Sequence, residues 1–182
     1  MRAEEKGGRV LRDEEFGAYV AARRPHLFRS AWLLCGDSHR AEDLVQETLA
    51  KLYVAWPRVS RLDTVDAYVR RMLVNGHIDE GRRPWRRERP TAEPPDSPSP
   101  GLGAEEDDDL WAALRALPAG QRRVVVLRHY WGLSIEETAA DLNVGTGTVK
   151  SQTSAALASL RRILSPELAG TSTTHDDPGE NR

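Results

Sequence analysis

Nowhere in the 182 residues is there a run of about 18 apolar residues, so no segment is expected to span a membrane. The N-terminal stretch MRAEEKGGRVLRDEE is charged and lacks the apolar core of a secretory signal, which predicts a cytoplasmic protein. Cysteine is almost absent: Cys35, in AWLLCG, is alone. That excludes an internal disulfide, fits a reducing compartment, and predicts a buried structural thiol rather than a nucleophile. Missing too are a phosphate-binding G-x-x-x-x-G-K-[ST] loop, a G-x-G-x-x-G turn after a strand, an H-E-x-x-H helix and a Cys/His cluster. His26, His39, His77, His129 and His175 are scattered, and the acidic run Glu105 to Asp109 reads as solvated charge. No enzymatic chemistry, no cofactor and no metal are expected.

Net charge is small, a formal -2, but its distribution is not even. Residues 1–66 carry 11 basic and 11 acidic groups; residues 67–92 carry 7 and 3; residues 93–109 carry none and 7; residues 110–164 carry 7 and 3. Two cationic segments separated by an anionic one suggest two contacts with a polyanion, joined by a piece that stays off it.

The sharpest boundary in composition is RPTAEPPDSPSPGLGAEEDDD, residues 89–109. Its closely spaced prolines oppose a helix and its lack of apolar residues opposes a core, so an extended linker is expected. SPELAGTSTTHDDPGENR has a similar composition and reads as a disordered tail. Upstream, Phe16, Tyr19 and Val20 form one apolar stripe and Leu27, Phe28, Ala31, Trp32 and Cys35 another, with Pro25 predicting a break or kink between them. Leu44, Val45, Thr48, Leu49, Leu52, Tyr53 and Trp56 recur at helical intervals, with Asp37 or Ser38 as N-cap, Glu42 and Asp43 in the first turn and Pro57 as terminator. After the loop PRVSRLD, the residues Val65, Tyr68, Val69, Met72, Leu73 and Ile78 keep a helical period through Asn75-Gly76, at a propensity cost of roughly 1 kcal/mol for the glycine. DDDLWAALRAL reads as a short helix and Pro118 opens the next, where Val124, Val125, Leu127 and Leu133 supply core; VVVL has no strand partner. The fold class is all-α, with two small helical domains joined by a flexible Pro/Ser/acid-rich linker. The expected boundaries are an N-terminal arm over 1–12, a first domain over 13–88, the linker over 89–106, a second domain over 107–165 and the tail over 166–182.

Within the second domain, Ser134 to Glu137 has the S-x-x-E form of a capping box and opens the helix IEETAADL, whose Ile135, Thr138, Ala139 and Leu142 face inward. Asn143 to Gly145 make a turn, and TGTVKSQTSAALASLRRIL follows as a second helix with Val149, Thr153, Ala156, Leu160 and Ile163 on one face. Two short helices around a tight turn form a helix-turn-helix, whose second helix enters the major groove by its N-terminal part. That aims Thr146, Thr148, Lys150, Ser151, Gln152 and Ser154 at bases and phosphates. Charge is thin here: between Arg128 and Arg161 the one cation is Lys150, whereas DNA binding usually rests on several.

Three segments, AEDLVQETLAKLYVAW, AYVRRMLVNGHIDEGRR and LPAGQRRVVVLRHYWGLSIEETAADLNVGTGTVKS, together resemble the conserved regions of extracytoplasmic-function sigma factors, the small two-domain members of the bacterial sigma-70 family. The resemblance runs over about residues 13 to 164, and the arginine-heavy composition suggests an actinobacterial type. It implies that the first domain is the sigma region 2 bundle and the second the region 4 helix-turn-helix. It implies further that Ala41 to Trp56 docks on the clamp helices of the largest subunit of core RNA polymerase, with Asp43, Gln46 and Glu47 on its polar side. The segment from Tyr68 resembles the helix that opens and reads the minus-10 element, where Asn75 and Asp79 match an N-x-x-x-D pattern and Arg82 and Arg83 the basic residues after it. Arg70, Arg71, Arg86 and Arg87 would join in holding phosphates, and melted bases find stacking or polar pockets worth roughly 1 to 3 kcal/mol each. The loop from Pro57 to Asp63 corresponds to the family's flipped-base capture, which implicates Arg58, Ser60 and Arg61. The helix from Thr146 would read the minus-35 element. Where many members follow GTVKS with arginines, this chain has Gln152, Thr153, Ser154 and Ala155; Gln152 is suited to bidentate pairing with adenine, and Arg122, Arg123, Arg128, Arg161 and Arg162 to backbone contacts from flanking helices. Partners implied are core polymerase, promoter DNA and an anti-sigma factor.

Two other readings compete. A helix-turn-helix regulator that binds duplex DNA by itself would use only the second domain, leaving AEDLVQETL and VNGHIDEGRR without roles. A helical adaptor without DNA contact would explain the low charge around Lys150.

Overall fold

The computed structural model describes residues 2–82 and 106–165, with side chains described over 10–82 and 109–165. The linker read over 89–106, save its last residue, the tail over 166–182, and Arg83, Arg86 and Arg87 lie outside the described residues. Among those described, all regular structure is helical: α1 (Arg2–Cys35), α2 (Ser38–Val59), α3 (Val65–Arg82), α4 (Glu106–Ala116), α5 (Ala119–Val125) continued by a π turn (Val126–Tyr130), α6 (Ile135–Leu142) and α7 (Thr146–Leu164).

α2 organises the first half. Asp37 caps it by accepting the Arg40 N–H at 2.7 Å, which places Glu42 and Asp43 beyond the first turn rather than in it. Its stripe of Ala41, Leu44, Val45, Thr48, Leu49, Leu52, Ala55, Trp56 and Val59 is buried against α1 and α3. Aromatic rings close one end: Phe16 meets Tyr53 and Trp56 edge-on at 5.1 and 5.3 Å, and Tyr19 lies 5.1 Å from Trp56. The Tyr19 hydroxyl donates to Asp66 at 2.9 Å, tying α1 to α3.

Pro57 does not end α2, and of the two outcomes expected at Pro25, a break or a kink, the break does not occur: α1 runs through it as one helix. Each proline forfeits a helical hydrogen bond, at about 3 kcal/mol. On both sides of Pro25 the helix buries apolar residues in one continuous core, Phe16, Tyr19 and Val20 before it and Leu27, Ala31 and Cys35 after it. Past Pro57, Val59 is still buried. Burial at roughly 1.5 to 3 kcal/mol per large side chain outweighs one missing bond. Gly76, by contrast, stays helical as expected, and its bareness has a use: a Cβ there would stand 2.9 Å from Leu44 Cδ1, so α3 crosses α2 closely at this point.

In the second half, Pro118 stands at the N-cap of α5. The run VVVL is helical, not strand, and Val124, Val125, Val126 and Leu127 are all buried. α6 opens on the expected capping box: Ser134 Oγ accepts the Glu137 N–H at 3.0 Å, and Glu137 accepts the Ser134 N–H at 2.8 Å. Asn143, with φ of 51°, makes the left-handed turn that aims α7 away from α6. Of the face expected to point inward on α7, Val149, Ala156 and Leu160 are buried, whereas Ile163 is 40% exposed.

The two helical domains do not stand apart. Leu34 and Val74 of the first share an apolar cluster with Val126, Leu127 and Leu133 of the second. Trp32 stacks on Trp111 with ring centroids 3.7 Å apart, and His26 stacks on Tyr130 at 4.7 Å and meets Trp131 edge-on at 4.3 Å. Gly36, at φ +78°, turns the chain between α1 and α2 where Arg122, Arg115 and Trp111 press from the other side.

Replacing Ser134 by Ala removes the arm in which its Oγ accepts the Glu137 N–H and leaves the backbone arm to Glu137 in place; urea denaturation is expected to show a loss of about 1 kcal/mol, and an unchanged midpoint would mean that the Ser134 hydroxyl contributes nothing.

Candidate nucleic-acid interface

The outward face of α2 follows from its inward one. With Leu44, Val45, Thr48, Leu49 and Leu52 turned to the core, Asp43, Gln46 and Glu47 are exposed. Gln46 donates to Glu42 at 2.8 Å and Glu42 accepts from Arg24 at 2.5 Å; these bonds hold the Glu42 carboxyl below its ordinary range. Glu47 pairs with Lys51 at 2.8 Å. Val54 lies on the same face, two turns beyond Glu47, and is 74% exposed. It is an apolar residue that falls outside the buried stripe of α2, which is the one signal the sequence carries for it.

At the far end of α2, Arg58 and Arg61 are exposed and Ser60 is half-buried, its N–H donating to the Trp56 carbonyl at 2.9 Å. Leu11, Arg12, Glu15, Trp56, Pro57, Ser60 and Arg61 line an open groove of about 570 Å³. The lining mixes apolar Leu11, Trp56 and Pro57 with the charged Arg12, Glu15 and Arg61.

Along α3 the expected contacts divide. Asn75, Asp79 and Arg82 are exposed, Arg82 standing 3.9 Å from Asp79. Arg70 and Arg71 are committed elsewhere: Arg70 Nε donates to Asp141 Oδ2 at 2.6 Å and Arg71 Nε to Asp141 Oδ1 at 2.5 Å. The Asp141 side chain is fully buried and that of Arg70 is 10% exposed, while Arg71 keeps 55% of its side chain in solvent. Arg70 also lies over the Trp131 ring, 5.6 Å from its centre. A single carboxylate of the second domain thus holds both of these arginines. Asp141 is not marked by the sequence as anything but a polar residue of an amphipathic helix; it lies 71 positions from Arg70 and no local signal links them.

On α7, Thr146, Thr148, Lys150, Ser151 and Ser154 share an exposed face. Gln152 does not join it fully: half-buried, its amide packs on Gly120 of α5, 3.2 to 3.3 Å from where a Cβ there would sit. Arg128, Ile135, Lys150, Thr153, Ser154, Leu157 and Arg161 line a groove of about 380 Å³, so Lys150 is flanked by Arg128 and Arg161 in space though isolated in sequence. Arg161 and Arg162 are exposed. Arg122 and Arg123 are half-buried, and burial lowers their affinity for the proton.

The fold also gathers residues that looked scattered. Cys35, His77 and Glu80 offer ligand-capable atoms all within 4.8 Å of one another. Burial pushes the Cys35 thiol up to about 12 and, together with Arg123, Arg40 and Arg122, pulls His77 down to about 4. The thiol is therefore protonated at neutral pH and shielded. At pH 8 the folded chain is expected to react with a disulfide reagent at least about tenfold more slowly than the urea-unfolded chain; equal rates would contradict the buried, protonated thiol.

Comparison with known proteins places both halves. The model of sigma-70 region 2 matches residues 19–87 and that of sigma-70 region 4 matches residues 107–160. The chain is 41% identical over 159 residues to the RNA polymerase sigma-E factor of Streptomyces coelicolor, covering 86% of this chain and 88% of that protein. It is 36% identical to the ECF RNA polymerase sigma factor ShbA of Streptomyces griseus, covering 71% of this chain and 75% of the relative. Among solved structures, the sigma factor RpoE bound to the anti-sigma factor NepR from Bartonella quintana is similar at a TM-score of 0.70 and 27% identity, over 83% of this chain and 97% of that one. CnrH in complex with the cytosolic domain of CnrY shares the fold at a TM-score of 0.58.

Proposed function

Because this chain belongs to the sigma-70 family of RNA polymerase sigma factors, in its extracytoplasmic-function group, we propose that the residues on its polar faces divide the work of promoter recognition among α2, α3 and α7. Residues 13–88 form the unit that engages core polymerase and the minus-10 element, and residues 107–165 the unit that engages the minus-35 element. The outer face of α2 docks on the clamp helices of the largest polymerase subunit through Asp43, Gln46 and Glu47, with Val54 as its apolar end. Asn75, Asp79, Arg82 and Arg83 meet the minus-10 strand, and the groove beside Arg58 and Arg61 receives an unstacked base. Thr146, Thr148, Lys150, Ser151 and Ser154 read the minus-35 duplex, and Gln152 joins them on release from Gly120. The chain performs no covalent chemistry in this scheme; polymerase does. It works where polymerase works, in the cytoplasm, and no described helix is long and apolar enough to cross a membrane. The relatives of known structure were solved with anti-sigma partners, and an anti-sigma factor is assigned to this chain on that likeness.

The observation that carries the scheme is the double occupancy of Asp141. Arg70 and Arg71 can hold phosphates only after leaving it, so the closed arrangement is a resting state and promoter engagement requires the two domains to part. Removing one partner of a buried ion pair costs about 3 to 5 kcal/mol when the other stays buried. Here the other is freed into water by opening, so the cost falls on the closed state alone.

The regulator that acts without polymerase has one observation against it: it leaves the region 2 match, and the exposed polar face of α2, unused. Run-off transcription with core polymerase and a promoter library separates the two, and absence of core binding would exclude the sigma reading. In the same assay Asp43→Arg is expected to weaken core binding more than about tenfold, whereas Lys150→Ala leaves core binding intact and lowers promoter use; equal effects of both variants on both assays would contradict the assignment. For the closed state, Asp141→Asn is expected to raise the affinity of the free protein for a random single-stranded DNA pool at least about tenfold in fluorescence anisotropy. Glu136→Gln, an equal charge change on the exposed side of α6, should not, and equal gains in both would reduce the effect to net charge.

A further inference from the structure

Where α1 ends, Cys35 Sγ lies 3.7 Å from Nδ1 of His77. Glu80 follows His77 by one turn on α3, and the three ligand-capable atoms fall within 4.8 Å of one another. A tetrahedral zinc ion, with Zn–S near 2.3 Å and Zn–N near 2.0 Å, separates its sulfur and nitrogen ligands by roughly 3.6 Å. The sulfur and nitrogen thus already stand at the spacing of two ligands on one ion. We propose that Cys35, His77 and Glu80 form a binding site for a thiophilic divalent transition-metal ion of the zinc type, with water in the fourth position.

The donor set points to that class of ion. Thiolate and imidazole suit zinc, cobalt and their neighbours and do not suit magnesium or calcium, which take oxygen. The site is also sheltered: Cys35 is 8% exposed and the Glu80 side chain 13%. On binding, the thiol proton passes to solvent and the sulfur–metal bond replaces the S–H bond, so that no oxidant or reductant is involved.

The surrounding charge is cationic and sets a condition. Arg40 from α2 pairs with Glu80 at 3.3 Å, and Arg122 and Arg123 approach from α5. Thiolate and carboxylate together cancel the charge of a dication, so those arginines face a neutral centre. Arg40 keeps 49% of its side chain in solvent, which gives it room to swing aside when the metal takes a Glu80 oxygen.

Cobalt(II) titration of the full, reduced chain tests the site without reference to promoter or polymerase. The wild type is expected to show a near-ultraviolet thiolate-to-cobalt charge-transfer band and visible bands of tetrahedral intensity, abolished by zinc. Cys35→Ser should lose the charge-transfer band, and His77→Gln should weaken cobalt binding more than about tenfold, with both variants retaining the wild-type helical circular dichroism. Absence of the band in the wild type, or its persistence in Cys35→Ser, would overturn the proposal.

Discussion

One buried carboxylate governs the arrangement. Asp141 sits on the first helix of the helix-turn-helix, fully enclosed, and both of its oxygens are taken by arginines from α3. A charge so placed must be paired or the seam would not form, because an isolated carboxylate out of water costs far more than folding can supply. The apolar contacts along the same seam, Trp32 on Trp111 and Leu34 and Val74 against Val126 and Leu127, add affinity without direction. The ion pairs supply the register. They are also reversible: water and phosphate compete for an arginine, whereas nothing in solution competes for Leu34.

That division explains how a weakly charged reading head can serve. Lys150 is alone in its stretch of sequence, yet Arg128 and Arg161 converge with it around one groove. In the proposed scheme the second domain does not need to find DNA unaided. Attachment of the first domain to polymerase makes the minus-35 contact effectively intramolecular, so α7 has to discriminate more than to anchor. The polar, modestly charged face of Thr146, Thr148, Ser151 and Ser154 suits that task better than a row of arginines, which would bind any duplex.

What the sequence made legible was local. The capping box at Ser134 and Glu137, the turn beginning at Asn143 and the amphipathic stripe of α2 are fixed within a turn or two of chain, and all appear as expected; that Asn143 makes the turn in the left-handed conformation is seen only in the structure. Pro57 misled because a local rule met a larger tertiary term, and the same term keeps α1 unbroken at Pro25: both helices continue where continuous burial outweighs one lost hydrogen bond. The α7 face was legible to about one residue, with Gln152 drawn inward by the absence of a side chain at Gly120 on another helix. Pairings across the fold were beyond reach. Asp141 and Arg70 are separated by 71 positions, Cys35 and His77 by 42, and neither pair leaves a periodic trace. The same distance hid the main functional consequence, that two of the expected phosphate contacts are occupied within the chain.

In the proposed scheme the two domains rest closed and part when the chain joins polymerase. Spin labels at the exposed positions of Ala18→Cys on α1 and Ala158→Cys on α7, in a chain whose Cys35 is replaced by Ser, report the separation of the domains directly by double electron–electron resonance. One narrow short distance is expected in the free protein and a distinctly longer one with core polymerase. The same short distance in both states would contradict it.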